Sequence, residues 1–230
     1  MIDVVPFSRL GRFENDWLTA RYHFSFAGYH DPQRMGFGPL RVWNDDRIKP
    51  SGGFAMHPHR DMEIITYIRQ GALTHEDSLG NRGRIGAGEV QVMSAGSGIV
   101  HAERNEGDSD VTLFQIWVTP GSTDLPPRWE QAQVSAADHP DEFVTLVSGR
   151  GDRGLRINQD AELLACALSK GASVRHELGS GRRAYLVAPF GKLIIQGRTV
   201  EARDGVAIEG VPAIDIQATE ASEIVLLDLP

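Results

Sequence analysis

The sequence predicts an all-β fold, and three observations carry that prediction. Apolar and β-branched residues come in short runs, glycine and proline stand between the runs, and apolar positions at helical spacing are scarce. In chain order the clearest runs are residues 63–68, 111–118, 183–188, 192–196 and 223–227. Each is rich in Ile, Val, Leu or aromatic residues, which suit a pleated, half-buried surface. The 25 glycines and 12 prolines act as punctuation, the pattern of a sandwich or barrel rather than of βαβ units. Gly80-Asn81-Arg82-Gly83 predicts a hairpin tip, because Gly and Asn tolerate the backbone angles of tight turns. Helix is expected only in short pieces, with a turn or two in residues 124–137.

That region also reads as a boundary. Thr119-Pro120-Gly121-Ser122 and Pro126-Pro127 stop the strand that ends at Val118, and a polar segment follows up to Pro140. A division into 1–132 and 133–230 follows. The two sections share a weak rhythm of strand, glycine turn and strand, with Gly205-Val206-Ala207-Ile208-Glu209-Gly210 set against Gly88 and the residues after it. Two related barrels are expected, the second without ligands: His176, beside Glu177, has no His-x-His partner, so no second metal site is expected there.

The bulk numbers exclude several classes. A formal charge of −8 and no Lys/Arg run argue against direct nucleic-acid binding. The single cysteine, Cys166, rules out an internal disulfide and reads as a buried structural thiol within Leu163-Leu164-Ala165-Cys166-Ala167-Leu168. Neither a secretory segment nor an apolar stretch near ~20 residues is seen, so a cytoplasmic setting without membrane contact is expected.

The chemistry lies in two short steps, His57-Pro58-His59 and His101-Ala102-Glu103. On a strand, where side chains alternate between faces, each step aims two donor groups the same way. Two such strands side by side present three imidazoles and a carboxylate to one point. A lone histidine is more often satisfied by a backbone carbonyl. Two paired steps weigh against that, since each buried group left unsatisfied costs on the order of 1–3 kcal/mol and one cation serves all four. The donor set suits one divalent transition metal, with Fe(II) placed first and Mn, Co, Ni, Cu or Zn as the other candidates. Asn105, Gln91 or Gln115 could accept the second imidazole N–H, although strand polar residues more often face solvent.

These residues resemble the cupins, and within them the pirin family. The segment from Gly52-Gly53-Phe54 through His57-Pro58-His59-Arg60-Asp61-Met62-Glu63 to Gly71 resembles the first cupin motif. Gly88 through Gly98-Ile99-Val100-His101-Ala102-Glu103-Arg104-Asn105 resembles the second. His75-Glu76-Asp77-Ser78-Leu79-Gly80-Asn81, Gln91-Val92-Met93-Ser94-Ala95-Gly96 and Gln115-Ile116-Trp117-Val118 match pirins in detail, over about residues 21–118. The resemblance implies a bicupin: two jelly-roll β-barrels packed face to face, with a metal-binding N-terminal domain at 1–132 and a degenerate C-terminal domain at 133–230. It implies His57, His59, His101 and Glu103 as metal ligands. Glu63 stands where ordinary cupins carry their acidic ligand and is kept as an alternative.

Pirin-like proteins include quercetin 2,3-dioxygenases, so the resemblance implies a metal-dependent enzyme that opens the central ring of a flavonol with O₂ and releases carbon monoxide. Glu103 is then the base that takes the 3-hydroxyl proton. The rival reading is a non-enzymatic metal or redox sensor acting through a protein partner. A cavity of aromatic-ligand size opening on the metal separates the two. Phe24, Phe26, Phe54, Met56, Met93 and Trp117 are candidate pocket residues without an assigned role, and alternation puts Phe54 and Met56 on the face opposite the ligands. His75, near Asp77, reads as a surface or turn residue.

Overall fold

The structure, a computed structural model, describes residues 1–134 and 136–230. Its strands begin with β1 (Ile2–Val5), β2 (Gly11–Glu14), β3 (Leu18–Tyr22), β4 (Leu40–Ile48), β5 (Gly53–His59) and β6 (Glu63–Gln70). They continue with β7 (Ala72–Asp77), β8 (Arg82–Gly86), β9 (Glu89–Ser94), β10 (Ile99–Arg104), β11 (Val111–Val118) and β12 (Arg128–Gln133). Next come β13 (Val144–Ser148), β14 (Leu155–Arg156), β15 (Glu162–Leu168), β16 (Ser173–Glu177) and β17 (Arg183–Val187). The last are β18 (Lys192–Ile195), β19 (Arg198–Glu201), β20 (Gly205–Glu209), β21 (Ala213–Ala218) and β22 (Ser222–Leu229). Every run read from the sequence is a strand. The only helical elements among the described residues are single 3₁₀ turns at Phe7–Arg9 and Ala136–Asp138. Of the range 124–137, where a turn or two of helix was expected, the 3₁₀ turn at Ala136–Asp138 falls at its end, while residues 128–133 pair as β12 along β9, with Gln131 opposite Gln91. The ladder hydrogen bonds available at that sheet edge override the segment's polar composition.

The chain divides into two compact units. One comprises Gly11–Val134 and Leu155–Gln159, the other Met1–Leu10, Ser135–Gly154 and Asp160–Pro230. In the first, a seven-stranded sheet in the order β12-β9-β6-β11-β4-β3-β2 faces a four-stranded sheet in the order β5-β10-β7-β8. In the second, a sheet running β1-β20-β17-β22-β15-β13 accompanies a four-stranded sheet β16-β21-β18-β19. The N-terminal ten residues belong to the second unit because β1 pairs with β20, Ile2 opposite Ile208.

Burial follows the pleat. In β3, Leu18, Ala20 and Tyr22 turn inward while Thr19 and Arg21 do not, the period-two pattern of a strand with one solvated face. The second unit is filled by an apolar cluster that includes Leu164, Cys166, Leu186, Leu193, Ile214 and Leu226. Cys166 is fully buried, and that burial pushes its thiol up to about 11, an inert structural cysteine. The first unit has apolar clusters around Ile68, Leu73 and Ile85 and around Ile64, Met93 and Ile99. Between them its interior turns polar.

Candidate metal centre

Antiparallel pairing within the small sheet of the first unit builds the centre. His57 on β5 stands opposite His101 on β10, which stands opposite Asp77 on β7. One level along, Phe54, Glu103 and His75 form the next row. Residues directly opposite one another share a face, so both rows point into the sandwich. Between the rows β5 carries one extra residue relative to β10. That bulge reverses the alternation and brings Phe54 to the ligand face, contrary to the simple period-two reading. Gly53 permits the close approach: a Cβ there would lie 2.4 Å from the Glu103 carbonyl oxygen.

His57, His59 and His101 offer ring nitrogens within 4.8 Å of one another. His57 and His59 are half-buried at the cavity mouth, and His101 is buried. His57 Nδ1 donates to the Ala55 carbonyl at 2.7 Å, which leaves Nε2 as a free lone pair. Burial, then the positive field of His57, lowers His59 to about 4. Burial and the neighbouring imidazoles lower His101 to about 2. Both of these rings therefore favour the neutral, coordinating form at pH 7. Neither nitrogen of His101 has a hydrogen-bond partner despite its burial. An imidazole so placed loses on the order of 1–3 kcal/mol per unmet group, which a coordinated cation would recover. The donor set therefore fits a divalent metal.

Glu103 reaches across to the large sheet. There Asn44, Gln115, Thr66 and Gln91 are successive cross-strand neighbours on β4, β11, β6 and β9, a polar row across the inner face of the sheet. Gln91 Nε2 donates to Glu103 Oε1 at 2.7 Å and Gln115 Nε2 to Oε2 at 2.8 Å. The single Thr66 hydroxyl proton is better placed on Gln115 Oε1, at 3.0 Å, than on Glu103, at 3.3 Å. A carboxylate has about four acceptor positions, so each oxygen keeps one for another donor or a cation. Burial raises Glu103 to about 7, and these hydrogen bonds hold it from going higher. Gln91 and Gln115 thus support the carboxylate rather than an imidazole. Asn105 serves the backbone instead, donating to the Ile48 and Ser109 carbonyls.

His75, read from the sequence as a surface or turn residue, is fully buried on β7. Its Nε2 lies 3.0 Å from Asp77 Oδ2, and its ring stacks on Trp129 at 4.8 Å and 10°. Trp129 Nε1 donates in turn to Gln91 Oε1 at 2.8 Å. His75 also groups with His101 and Glu103 within 4.8 Å. The signal was available: His75-Glu76-Asp77 is a third donor-x-donor step, and β7 is the other neighbour of β10. Gly83, opposite His75 on β8, makes room for the stack, since a Cβ there would come 2.2 Å from the Trp129 ring. Glu63 is bound elsewhere, accepting from Ser94 at 2.6 Å and Asn158 at 3.0 Å, apart from the histidine cluster.

The centre opens on a cavity of about 550 Å³. Phe26, Phe54, Trp17 and Trp117 wall it, with Met56 at its rim, while Phe24 and Met93 do not line it. Trp17 meets Phe54 edge-on at 5.1 Å, Phe26 meets Trp117 at 5.3 Å, and Trp117 meets His59 at 4.9 Å.

A two-sheet sandwich carrying a His-x-His step beside a His-x-Glu step, followed by a second sandwich without one, is the architecture of a bicupin. The pirin family profile matches residues 5–118, and the profile of the quercetinase C-terminal cupin domain matches residues 145–229. The chain belongs to the pirin family. It is 50% identical over 231 residues to a Pseudomonas aeruginosa protein provisionally named a quercetin 2,3-dioxygenase, covering 100% of both chains. It is 41% identical over 221 residues to the quercetin 2,3-dioxygenase of Escherichia coli K12, covering 96% of this chain and 95% of that one. The crystal structure of the bacterial pirin YhhW from Escherichia coli in complex with nickel(II) superposes with a TM-score of 0.94 at 39% identity, covering 100% of this chain and 99% of that one. No helix among the described residues is long and apolar enough to cross a membrane.

Proposed function

We propose that this protein is a metal-dependent dioxygenase that opens the central ring of a flavonol such as quercetin with O₂ and releases carbon monoxide. The observation that carries the reading is the aromatic-walled cavity of about 550 Å³ with the histidine cluster at its edge. Its size lies within the roughly 300–1,000 Å³ of small-molecule clefts. A sensor working through protein contacts has no need of such a cavity, so it favours the enzyme. The names of the relatives from Pseudomonas aeruginosa and Escherichia coli point the same way.

His57, His59 and His101 would hold the metal, with Glu103 as the carboxylate donor. The metal, when bound, supplies Lewis-acid polarisation of the flavonol 3-oxygen and its neighbouring carbonyl. Fe(II) and Ni(II), the latter present in the YhhW complex, both suit this set. Phe26, Phe54 and Trp117 hold the flat ring system and keep water from it. Glu103 takes the 3-hydroxyl proton: it is buried, raised to about 7, and keeps a lone pair on each oxygen. Gln91 and Gln115 fix the direction from which that proton is taken.

Aerobic turnover of quercetin by metal-reconstituted protein, followed at the flavonol absorbance band with carbon monoxide detection, tests this. Metal-dependent loss of the band, absent in Glu103→Ala, is the expected result. A fully loaded protein that leaves quercetin intact with each of Fe, Mn, Co, Ni and Cu would refute it.

A further inference from the structure

Buried side-chain polar atoms without a hydrogen-bond partner are costly, and their placement is informative. Asn44 Oδ1, Asp46 Oδ1, Trp117 Nε1 and both nitrogens of His101 are atoms of this kind. All four residues line the same cavity. The histidine belongs to the metal centre. Asn44 and Asp46 do not, and they stand two apart on β4, so they share the inner face. Asp45, between them, points the other way and is paired with Arg69, which lies over the Phe114 ring at 4.6 Å. One strand thus carries one carboxylate that is matched and one, on the cavity side, whose Oδ1 has no partner.

Asp46 is 3% exposed and forms no ion pair among the described residues. Burial raises its carboxyl well above the usual range, and the charges of Asp45 and Glu103 add to this, with Arg69 opposing. A side chain this unfavourable in the free protein is explained by a ligand that brings a donor to it.

We propose that Asp46, seconded by Asn44, selects the ligand by accepting a hydrogen bond from a hydroxyl other than the one that faces the histidines. The site then takes polyhydroxylated aromatics and discriminates against flat analogues that keep the 3-hydroxyl and carbonyl but lack the further hydroxyls. A site built around a buried acceptor rejects the molecule that leaves it unmet, whereas apolar walls alone barely separate the two.

The inference rests on the flavonol reading for the choice of probe, so the test uses binding rather than turnover. Quercetin and 3-hydroxyflavone are titrated anaerobically, by quenching of tryptophan fluorescence, into metal-free and Ni(II)-loaded wild type, Asp46→Leu and Asp46→Asn. Wild type is expected to prefer quercetin on the order of 10- to 100-fold, the range set by leaving a buried acceptor unmet in the complex with the other ligand. That preference should fall to within about threefold in Asp46→Leu. In parallel, Asp46→Leu should melt higher than wild type in the metal-free state, because it removes an unmet buried carboxyl, whereas Asp46→Asn keeps unmet polar atoms and should not. A structural role for Asp46 would lower the melting temperature instead. Equal preference in wild type and Asp46→Leu, or a wild type that binds both flavonols alike, overturns the inference even if quercetin is turned over. Preserved discrimination without turnover would leave Asp46 as the selecting residue and refute only the dioxygenase reading. Failure of wild type to bind either flavonol would refute both.

Discussion

Glu103→Gln, studied in protein stripped of metal, should flatten the pH dependence of stability in a calculable way. Burial raises Glu103 from 4.5 to about 7. A carboxyl whose folded pKa lies above its unfolded one contributes stability fully present below about 4.5, and that stability is lost as pH rises through about 7. At about 1.36 kcal/mol per pKa unit, the loss between pH 5 and pH 8 is about 2.5 kcal/mol. His59 and His101, lowered to about 4 and about 2, act with the opposite sign in the same window, because the unfolded chain takes up their protons first. The quantity to compare is therefore wild type minus variant, in which those contributions cancel. The amide of the variant would also place an N–H₂ against Gln91 or Gln115, but that conflict is independent of pH and shifts only the offset. Urea unfolding with EDTA present, at pH 5 and pH 8, reads the difference directly. The wild type should gain about 2.5 kcal/mol on the variant at pH 5 relative to pH 8. A difference constant to within about 0.5 kcal/mol would show that the free Glu103 carboxyl is not held neutral by its burial, and the argument would fail.

Three further outcomes are expected. His57→Ala and His101→Ala should each lose metal binding by calorimetry while keeping the β circular-dichroism signature; full occupancy in both would remove the ligand assignment. Gly83→Val drives a side chain into the Trp129 ring, so it should cost about 1–3 kcal/mol and shift tryptophan fluorescence as the stack on His75 opens; unchanged emission and stability would contradict the packing. Asp228, buried and bound by His176 at 2.9 Å and Arg182 at 2.6 Å, is held below its usual value by those partners against the cost of burial. Its stabilisation is present above about pH 3.8 and lost below it, so Asp228→Ala should cost about 3–5 kcal/mol near neutrality and progressively less in acid, as urea unfolding across that range would read.

Much of this was legible in the sequence because strands write their geometry at period two. His57-x-His59 and His101-x-Glu103 announce shared faces, and the β-rich runs announce their strands. What was not legible depends on neighbours remote in sequence. The bulge in β5 that turns Phe54 inward exists only in its pairing with β10. The row Asn44, Gln115, Thr66 and Gln91 is set by register among four strands, and no spacing along the chain encodes it. Strand β12 lies in a polar stretch where only a turn or two of helix was expected, because nothing in its spacing marks a strand. Its contribution is one indole, Trp129, which backs His75 and ties Gln91 into the web around Glu103.

The two units differ in what fills their interiors, and the difference bears on where the proposed site lies. Each is a two-sheet sandwich, and each could fill its interior with apolar side chains. The second does so, with leucine, isoleucine, valine and alanine around Cys166, and its His176 is satisfied by Asp228. The first gives up that stability. It buries Asn44, Asp46, Glu103, His75 and His101 where apolar residues would pack, and leaves several of their atoms unmet. Polar atoms removed from water need partners, so a fold retains such costs only where something bound offsets them. The unmet atoms that line the cavity fall chiefly into two groups, the imidazole nitrogens suited to a cation and the Asn44 and Asp46 oxygens suited to hydroxyl donors. On the reading proposed above, a hydroxylated aromatic whose oxygens meet the cation and whose further hydroxyls meet Asp46 would offset both costs.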